Sequence, residues 1–422
     1  MNPELRFKDQ DGNDFPDWEE KKIKEIGRVT MCKRIFKDQT LAWGEIPFFK
    51  IGTFGDVPDA YITRELFEDF KEKYPYPQKG DILISASGSI GKLVEYNGED
   101  AYFQDSNIIW LEHKNDVLDK YLKQIYPTLN WEEGLEGSTI KRLYNKVFLN
   151  KVIFLPQVLE QSKIAELLSN IDKKIELQTK LVDKLKNTKD AMLVKMFPQG
   201  DNKVPEIRFD GFSGDWKKVD VRYLINEAII EKPMDGNHGE KHPVSSEYVE
   251  DGIPFLMASD VKDGKVDLDK CKFISKSRAE KLDKGFAINN DVLLTHKATI
   301  GETAILTGLN TEYAMLTPQV TYYRIIDNKK LNHFYLYSAF MSKQFQKDIH
   351  IAATQSTRSY IGIVKQHKLK IWFPIDIQEQ EKIGQFFSNL DKEIEINQQK
   401  YEKLCDVKKA LLSKLFPTKE DE

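Results

Sequence analysis

The stretch LSNIDKKIELQ, at Leu168–Gln178, has a near copy, FSNLDKEIEIN, at Phe387–Asn397. Around both stretches, apolar residues recur at alternating steps of four and three, a heptad pattern with a period of about 3.5 residues. This pattern predicts two long α-helices, each with a narrow apolar seam that packs against another helix. The predicted seam consists of Ile164, Leu168, Ile171, Ile175, Leu185, Ile383, Phe387, Leu390, Ile394 and Leu404.

Prolines mark the ends of both predicted helices. Pro156 and Pro374 precede the helices, and Pro198 and Pro417 follow them. Proline can begin or stop a helix but does not continue one. About 40 residues at 1.5 Å each give a rod of roughly 60 Å.

The two seams are the obvious partners for each other. We expect an antiparallel coiled coil, because the first helix carries the chain away and the second returns it. In that register Gln178 would face Lys408, and Lys189 would face Asn397. A parallel pair would also match polar residues, so the pattern alone leaves the direction open. Two separate helices, each packed on its own domain, are the remaining alternative.

The repeat extends over nearly the whole chain. PELRF from Pro3 returns as PEIRF from Pro205, and IPFFKIGTF from Ile46 returns as IPFLMASDV from Ile253. The matches keep the same order in both halves, which indicates a tandem duplication. The predicted parts are a first mixed domain at 1–155, a first long helix at 156–197, a second mixed domain at 198–373 and a second long helix at 374–417.

Each mixed domain combines strand-like and helical patterns. The runs DILIS and NIIWLEH predict strands, while SGSIGK and YNGEDA predict turns between them. Helical patches such as YLKQIYPTL follow. We therefore predict an α+β protein with two tandem mixed α/β domains, each with a mostly antiparallel sheet. The antiparallel coiled coil separates them, and a pseudo-twofold axis relates them.

Composition limits the class of protein. The chain has 422 residues, 40% of them hydrophobic, and a formal net charge of −4. A nucleic-acid site on such a chain must be a local basic patch. Its three cysteines lie far apart, as is usual for reduced thiols. No apolar run approaches the ~20 residues that span a bilayer, and the first residues are polar, so we expect a cytoplasmic protein without membrane contact.

Motifs for catalysis are missing. SGSIGK fails as a Walker A loop, because Ala86 stands where the first glycine is needed and Leu93 where Ser or Thr is needed. A PD…DxK nuclease pattern through Asp59 and Asp69 is disfavoured, since Asp69 falls in a predicted helix. The seven histidines do not cluster at ligand spacing. We expect no catalytic residues, no cofactor and no metal.

Polar turns at matching places in the two halves are the candidate DNA contacts. The turn GDILISASGSIGK from Gly80 matches NDVLLTHKATIGE from Asn290, and the polar stretches are GSTIKRLYNK from Gly137 and ATQSTRSYIG from Ala353. Such side chains can hydrogen-bond to base edges and phosphates, although an ordinary solvated loop has the same composition. The candidates are Lys33, Arg34, Ser87, Ser89, Lys92, Thr139, Lys141, Arg142, His296, Lys297, Thr299, Gln355, Ser356, Thr357 and Arg358.

The motifs LPQVLEQSKIAELLSNIDKKIE from Leu155 and FPIDIQEQEKIGQFFSNLDKEIE from Phe373 resemble the two helical regions of the specificity subunit of type I restriction–modification enzymes. The resemblance covers nearly the whole chain. It implies a non-catalytic subunit whose mixed domains each read one half of an asymmetric, bipartite target in double-stranded DNA. It also implies docking to two methylation subunits and two restriction subunits, which would hold the methyl donor, ATP and Mg²⁺.

Two other functions remain open on the sequence. The chain could be a tandem scaffold that binds protein or glycan, with the helices serving for assembly. A self-sufficient nuclease or methylase is disfavoured by the missing motifs. Salt dependence separates the first alternative from DNA binding, because binding to DNA releases counterions and weakens steeply with salt.

Overall fold

The computed structural model describes residues 2–134, 141–354 and 360–417. The chain divides into two compact units. Unit 1 consists of Met1–Thr179 with Lys400–Glu422, and unit 2 of Lys180–Gln399. Each unit therefore combines one mixed domain with a part of each long helix.

The elements of unit 1 are short apart from its long helix, which continues into residues of unit 2. In chain order they are β1 (Glu19–Lys22), α1 (Ile23–Ile26), β2 (Gly27–Thr30), β3 (Ile46–Phe49), β4 (Tyr61–Ile62), α2 (Arg64–Lys73), β5 (Ile82–Ser85), β6 (Leu93–Glu95), β7 (Tyr102–Phe103), β8 (Ile108–His113), α3 (Asp119–Ile125), α4 (Asn145–Asn150), β9 (Val152–Leu155) and α5 (Val158–Lys195).

These strands form two sheets and a ribbon. One sheet has the order β2-β8-β5-β6 and is antiparallel throughout, and β1 pairs antiparallel with β9. The second sheet has the order β4-β3-β7, in which β3 and β7 run parallel. The prediction of a mostly antiparallel α+β domain is confirmed for this unit.

Unit 2 has more strands and ends with the second long helix, whose last residues belong to unit 1. In chain order its elements are β10 (Lys217–Asp220), α6 (Val221–Asn226), β11 (Met234–Asp235), β12 (Tyr248–Val249), β13 (Ile253–Leu256), β14 (Val261–Lys262), β15 (Lys265–Val266), β16 (Lys272–Ile274), α7 (Lys276–Ala279), β17 (Phe286–Ala287), β18 (Val292–Lys297), β19 (Thr299–Ile305), β20 (Ala314–Leu316), β21 (Val320–Tyr323), α8 (His333–Met341), α9 (Lys343–Thr354), α10 (Ile363–Gln366), β22 (Lys370–Phe373) and α11 (Ile377–Leu415).

The sheets of unit 2 repeat the plan of unit 1 with additions. The order β11-β21-β18-β19 corresponds to β2-β8-β5-β6, and the pair β10-β22 corresponds to β1-β9. The other large sheet has the order β12-β16-β13-β20-β17, in which β13 and β20 run parallel as β3 and β7 do. The added β14-β15 hairpin belongs to unit 2.

A buried ion pair fixes the start of each long helix. Glu160 of α5 binds Arg6 with an Oε2–Nη2 distance of 2.7 Å, and Glu379 of α11 binds Arg208 with an Oε1–Nε distance of 2.7 Å. Both carboxylates are buried. The repeated PELRF and PEIRF motifs therefore supply an arginine that neutralises the glutamate of the repeated Glu-Gln pair.

The glutamines of that pair also have equivalent roles. Gln161 accepts a hydrogen bond from the backbone N–H of Leu118 at 3.0 Å, and Gln380 accepts one from Asn332 at 3.0 Å. Each side-chain nitrogen donates to the carbonyl of the proline before its helix, at 2.9 and 2.8 Å. The bonds to Leu118 and Asn332 satisfy N–H groups that the starts of α3 and α8 leave open.

Within unit 1 the two long helices pack in opposite directions. Nζ of Lys408 lies 2.5 Å from Oδ1 of Asp172. Further along α11, Leu415 enters the same core as Ile164 and Leu168, which lie earlier in α5. Because later residues of α11 meet earlier residues of α5, the pair is antiparallel.

Unit 2 has the same arrangement with the roles of the helices exchanged. Nζ of Lys189 lies 2.5 Å from Oδ1 of Asp391. Further along α5, the Phe197 ring that follows the helix lies 6.2 Å from the Phe387 ring of α11, and both share one core with Ile383. The predicted antiparallel direction is confirmed, and the alternative of helices packed only on their own domains is wrong.

The predicted polar register needs a correction. The lysines bind Asp172 and Asp391 rather than the predicted partners Gln178 and Asn397. Carboxylates beside the seam offer the lysines opposite charge, which an amide cannot. The outer seam residues Ile164, Leu168, Ile171, Ile383, Phe387 and Leu390 are buried. The inner ones, Ile175, Leu185, Ile394 and Leu404, are half-buried.

Candidate nucleic-acid interface

In each unit the predicted turn and the predicted polar stretch lie side by side. In unit 1, Ser87 forms a β-bridge with Arg142, and the N–H of Leu143 donates to the carbonyl of Ala86 at 2.8 Å. In unit 2, Lys297 forms a β-bridge with Tyr360, and the N–H of Ile361 donates to the carbonyl of His296 at 3.1 Å. The repeat therefore places the turn beside the polar stretch in the same way in both units, and we call this arrangement the corner of each unit.

In unit 1 side chains close this corner with their own hydrogen bonds. Oγ of Ser87 donates to Oδ1 of Asn107 at 2.9 Å, and Nη2 of Arg142 donates to the carbonyl of Ser106 at 2.8 Å. Nε of Arg34 donates to Oδ2 of Asp105 at 2.9 Å. Three consecutive residues that the sequence did not predict therefore bind three predicted side chains: Asp105 binds Arg34, Ser106 binds Arg142 and Asn107 binds Ser87.

The predicted lysines of unit 1 are exposed and weakly held. Nζ of Lys92 donates to the carbonyl of Phe54 at 2.5 Å, and Nζ of Lys141 lies 3.3 Å from Glu132. Lys33 lies over the Tyr74 ring, with Nζ 4.9 Å from its centroid. The ion pair of Lys141 is exposed and contributes little stability, so its ammonium group is available to phosphates. The bond of Lys92 is partly buried, although the residue itself is exposed. Predicted Ser89 is exposed on the same turn as Lys92.

Exposed aromatic rings add to unit 1. Trp43 is 84% exposed and stacks on Tyr61 with 6.5 Å between ring centroids. Phe36 and Tyr144 are also exposed, close in the chain to predicted Arg34 and Arg142. Such rings can stack on bases or wedge between them. Sequence analysis missed them, because an aromatic residue in a loop is as easily buried as exposed.

In unit 2 the tip of the β18–β19 hairpin carries the predicted residues. Lys297 and Thr299 are exposed, and between them Ala298 has a φ of +70°, which turns the chain tightly. Oγ1 of Thr299 donates to the carbonyl of Ala258 at 3.4 Å.

The prediction that His296 contacts DNA does not fit the structure. Its side chain is 0% exposed, and neither ring nitrogen has a hydrogen-bond partner among the described residues. Burial lowers the pKa of His296 to about 4, so the ring is neutral at pH 7. β18 is covered on both faces except at Lys297, which places His296 inside the unit. Predicted Thr139, Gln355, Ser356, Thr357 and Arg358 lie outside the described residues.

Beside this hairpin unit 2 has a cavity of about 420 Å³, lined by His238, Gly239, His242, Tyr248, Met257, Lys297, Thr317, Pro318 and Gln319. Nε2 of His238 lies 2.8 Å from Oδ2 of buried Asp235. Burial alone raises the pKa of Asp235, but hydrogen bonds from Lys284 and His238 outweigh it and lower the pKa. The carboxylate therefore stays ionised and holds His238 at the cavity.

The described residues contain no group of three His, Cys, Asp or Glu side chains that could hold a metal ion. None of the helices in residues 2–134, 141–354 and 360–417 is long and apolar enough to cross a membrane. What the two corners offer is a set of lysines, arginines, hydroxyls and amides, which can bind phosphates and base edges.

Comparison with known proteins decides the family. The family model described as the type I restriction modification DNA specificity domain matches residues 16–187 and again residues 236–405. The chain belongs to this DNA-specificity family. Each match covers most of one mixed domain together with most of its long helix, as the internal repeat predicts.

Individual relatives agree. A putative type I restriction enzyme specificity subunit from Haemophilus influenzae is 52% identical over 149 residues, which are 35% of this chain and 38% of that protein. The MjaVIII specificity subunit of Methanocaldococcus jannaschii is 23% identical over 431 aligned residues, covering 99% of this chain and 96% of that protein.

The fold is also known from solved structures. The S subunit of a type I restriction–modification system from M. genitalium matches with a TM-score of 0.66 at 16% identity, over 99% of this chain and 100% of that one. A second structure, from work on assembly of a type I system, matches with a TM-score of 0.51 at 15% identity, over 95% and 97% of the two chains. Both likenesses show the fold.

Proposed function

We propose that the chain is the non-catalytic DNA-recognition subunit of a type I restriction–modification complex. Its first mixed domain, 1–155, reads one half of a split target in double-stranded DNA, and its second, 198–373, reads the other. Membership of the DNA-specificity family supports the assignment. Two matched corners with phosphate- and base-binding side chains support two reading sites.

One observation carries the proposal: the repeat keeps the backbone of the corner and changes its side chains. The bridge of Ser87 with Arg142 becomes a bridge of Lys297 with Tyr360. A palindromic target would require two identical readers. Unlike corners on a repeated frame therefore predict a target whose two halves differ in sequence.

The long helices are the natural spacer and docking element. Residues of both α5 and α11 belong to each unit, and the ion pairs through Asp172 and Asp391 fix their register. In this proposal the helix pair sets the gap between the half-sites and docks two methylation subunits, while two restriction subunits complete the complex. Methyl donor, ATP and Mg²⁺ belong to those partners, and the complex acts on DNA in the cytoplasm.

Sequencing of methylated bases tests the proposal directly. Cells that lack other methylases receive this chain with its own methylation subunit, and controls receive either protein alone. We expect one bipartite motif with unlike halves, which appears only when both proteins are present. A continuous motif, or no motif, contradicts the proposal.

Salt dependence separates DNA recognition from a scaffold for protein or glycan. Affinity of the assembled complex for a duplex carrying the motif is measured between 50 and 200 mM salt, as is usual for such assays. Phosphate contacts by exposed lysines such as Lys92 and Lys297 predict a steep loss of affinity. A flat dependence is the outcome expected of the scaffold.

A further inference from the structure

The cavity of unit 2 has polar atoms that no described residue satisfies. Ten buried side-chain nitrogen and oxygen atoms in the described residues lack a hydrogen-bond partner, and five of them belong to His242, His296, Thr317 and Thr321. Thr317 and His242 line the cavity. Thr317 is 2% exposed, so water reaches its hydroxyl poorly. A buried hydroxyl without a partner is costly, so a hydrogen-bonding group that entered the cavity and reached it would remove this cost.

At the equivalent corner of unit 1 the side chains of Ser87 and Arg142 are hydrogen-bonded within the protein. The repeated backbone therefore does not by itself leave polar groups without partners. The N–H of Ala86 donates to the carbonyl of Asn107 at 2.7 Å, and the N–H of His296 donates to the carbonyl of Gln319 at 2.9 Å. Asn107 and Gln319 therefore occupy equivalent positions. The side chain of Asn107 binds Ser87, whereas Gln319 lines the cavity.

The cavity is lined by hydrogen-bonding, apolar and positively charged residues. Oε1 of Gln319 accepts from the N–H of Ala258 at 3.3 Å, so its NH₂ group is the part that remains to donate. Thr317 can both donate and accept. Met257 and Pro318 provide apolar walls, and exposed Lys297 provides positive charge at the hairpin tip.

We propose that this cavity receives a base edge of the second half-site, that Thr317 and Gln319 read it, and that Lys297 binds a flanking phosphate. A donor amide beside a hydroxyl matches the pattern of base edges, and apolar walls suit the faces of bases and the thymine methyl group. The inference rests on the proposed function and names the reader of one half-site.

Thr317→Val is the decisive change. The hydroxyl has no hydrogen-bond partner among the described residues, so replacing it with a methyl group breaks no bond there and should leave the melting temperature unchanged or raise it. The complex of the full chain with its methylation subunits is titrated with duplexes in which each base pair of the second half-site is varied. We expect about tenfold or greater loss of discrimination at one position, and none in the first half-site.

Gln319→Glu adds an independent change. It keeps an oxygen for the N–H of Ala258 but replaces the donor NH₂ group with a second acceptor. We expect weaker binding or a different preferred base at a position in the second half-site. Thr321→Val is the matched control, because its buried hydroxyl also has no partner within the described ranges but Thr321 is not among the residues that line the cavity. It should leave both half-sites unchanged.

The outcomes separate this inference from the proposed function. If Thr317→Val and Gln319→Glu leave discrimination unchanged while the original chain reads a bipartite motif, the cavity is not the reader and the proposed function stands. Equal weakening on all duplexes, or a lower melting temperature of Thr317→Val, also overturns the inference. Absence of any bipartite motif with the original chain overturns the proposed function itself.

Discussion

In unit 1 the corner beside β5 is closed by bonds from Ser87 and Arg142, whereas the same corner of unit 2 holds a cavity in which Thr317 has no partner among the residues that the structure describes. Exposed rings such as Trp43 surround the first corner, and a hairpin tip with Lys297 borders the second. The strands beneath have the same order in both units. In this chain the backbone frame is therefore separable from the side-chain chemistry that it presents.

The largest expected effect comes from lengthening both helices. Four residues inserted after Thr179 and four after Gln399 add roughly 6 Å, about two base-pair steps of ~3.4 Å. We expect loss of methylation at the original motif and a new motif with a longer gap and the same two halves. Methylated-base sequencing measures both.

Insertion into one helix alone is the control, because it shifts the ion pair of Lys189 or Lys408 out of register. It should abolish methylation without creating a new motif. Altered half-sites after the double insertion contradict separable readers and spacer.

The second effect is on stability and differs between the units. Arg208→Ala leaves the buried carboxylate of Glu379 without its arginine, at a cost of about 3–5 kcal/mol. Arg6→Ala should cost less, because Nε1 of Trp18 still donates to Glu160 at 3.1 Å, whereas Nε1 of Trp216 has no partner in the described parts of the chain. Chemical denaturation of each variant measures the loss.

Hydrogen exchange then assigns each loss to a unit. Arg28→Ala is the control, because its pair with Glu112 is exposed and contributes less than about 1 kcal/mol. Equal losses for Arg6→Ala and Arg208→Ala contradict the role given to Trp18.

The third effect is a pH dependence of opposite sign in the two units. Burial lowers the pKa of His296 to about 4 from an ordinary value of 6.5, so the unfolded chain binds the proton first. The stability of unit 2 should fall as pH decreases from about 6.5 to about 4, by about 3 kcal/mol at the end of this range. Burial also lowers the pKa values of His242, His333 and His367, which act in the same direction.

In unit 1 a hydrogen bond to Asp119 raises the pKa of His113, so its contribution is present at low pH and is lost as pH rises. Hydrogen exchange at pH 7 and pH 5, corrected for intrinsic rates, should show unit 2 loosening more than unit 1. His296→Leu should reduce the difference, because leucine does not titrate. The equivalent residue in unit 1 is Ala86, which does not titrate either. Equal loosening of both units contradicts this account.

The smallest effect concerns the lysines between the helices. Lys189→Met and Lys408→Met each remove an ion pair, but the aspartates keep a second bond, from Tyr337 to Asp391 and from Gln124 to Asp172, each at 3.0 Å. We expect costs of about 1–2 kcal/mol in thermal or chemical denaturation.

Lys189→Met should cost more than Lys408→Met, because the Lys189 side chain is 12% exposed and that of Lys408 26%. The exchanged pair Asp172→Lys with Lys408→Asp should restore most of the loss, and its failure to do so contradicts a specific ion pair.

Sequence patterns predict those parts of the molecule that are determined by residues close together in the chain. The heptads gave both long helices, the repeated strands gave the α+β domains, and the connectivity gave the antiparallel direction. The helix register escaped prediction because Asp172 and Asp391, which bind the lysines, lie beside the seam rather than in it.

The interface was harder to predict for a different reason. His296 looks like a polar turn residue, yet both faces of β18 are covered. Asn107 and Gln319 immediately precede β8 and β21, which meet the turn only in the folded chain, so no short-range signal marks them. The sequence identifies candidate residues within one hairpin, but not the residues that distant segments of the chain bring next to that hairpin.

Unit 1 combines residues 1–179 with residues 400–422, so it is complete only after unit 2 has been synthesised. Leu415 and Phe416 complete the core around Trp18, and the N–H of Leu5 donates to the carbonyl of Lys414 at 2.9 Å. A ribosome that adds 5–20 residues per second makes the residues of unit 2 in roughly 10–45 seconds. During that interval the nascent first domain exposes the apolar surface that Leu415 and Phe416 later cover. The unit that emerges first is the last to finish folding.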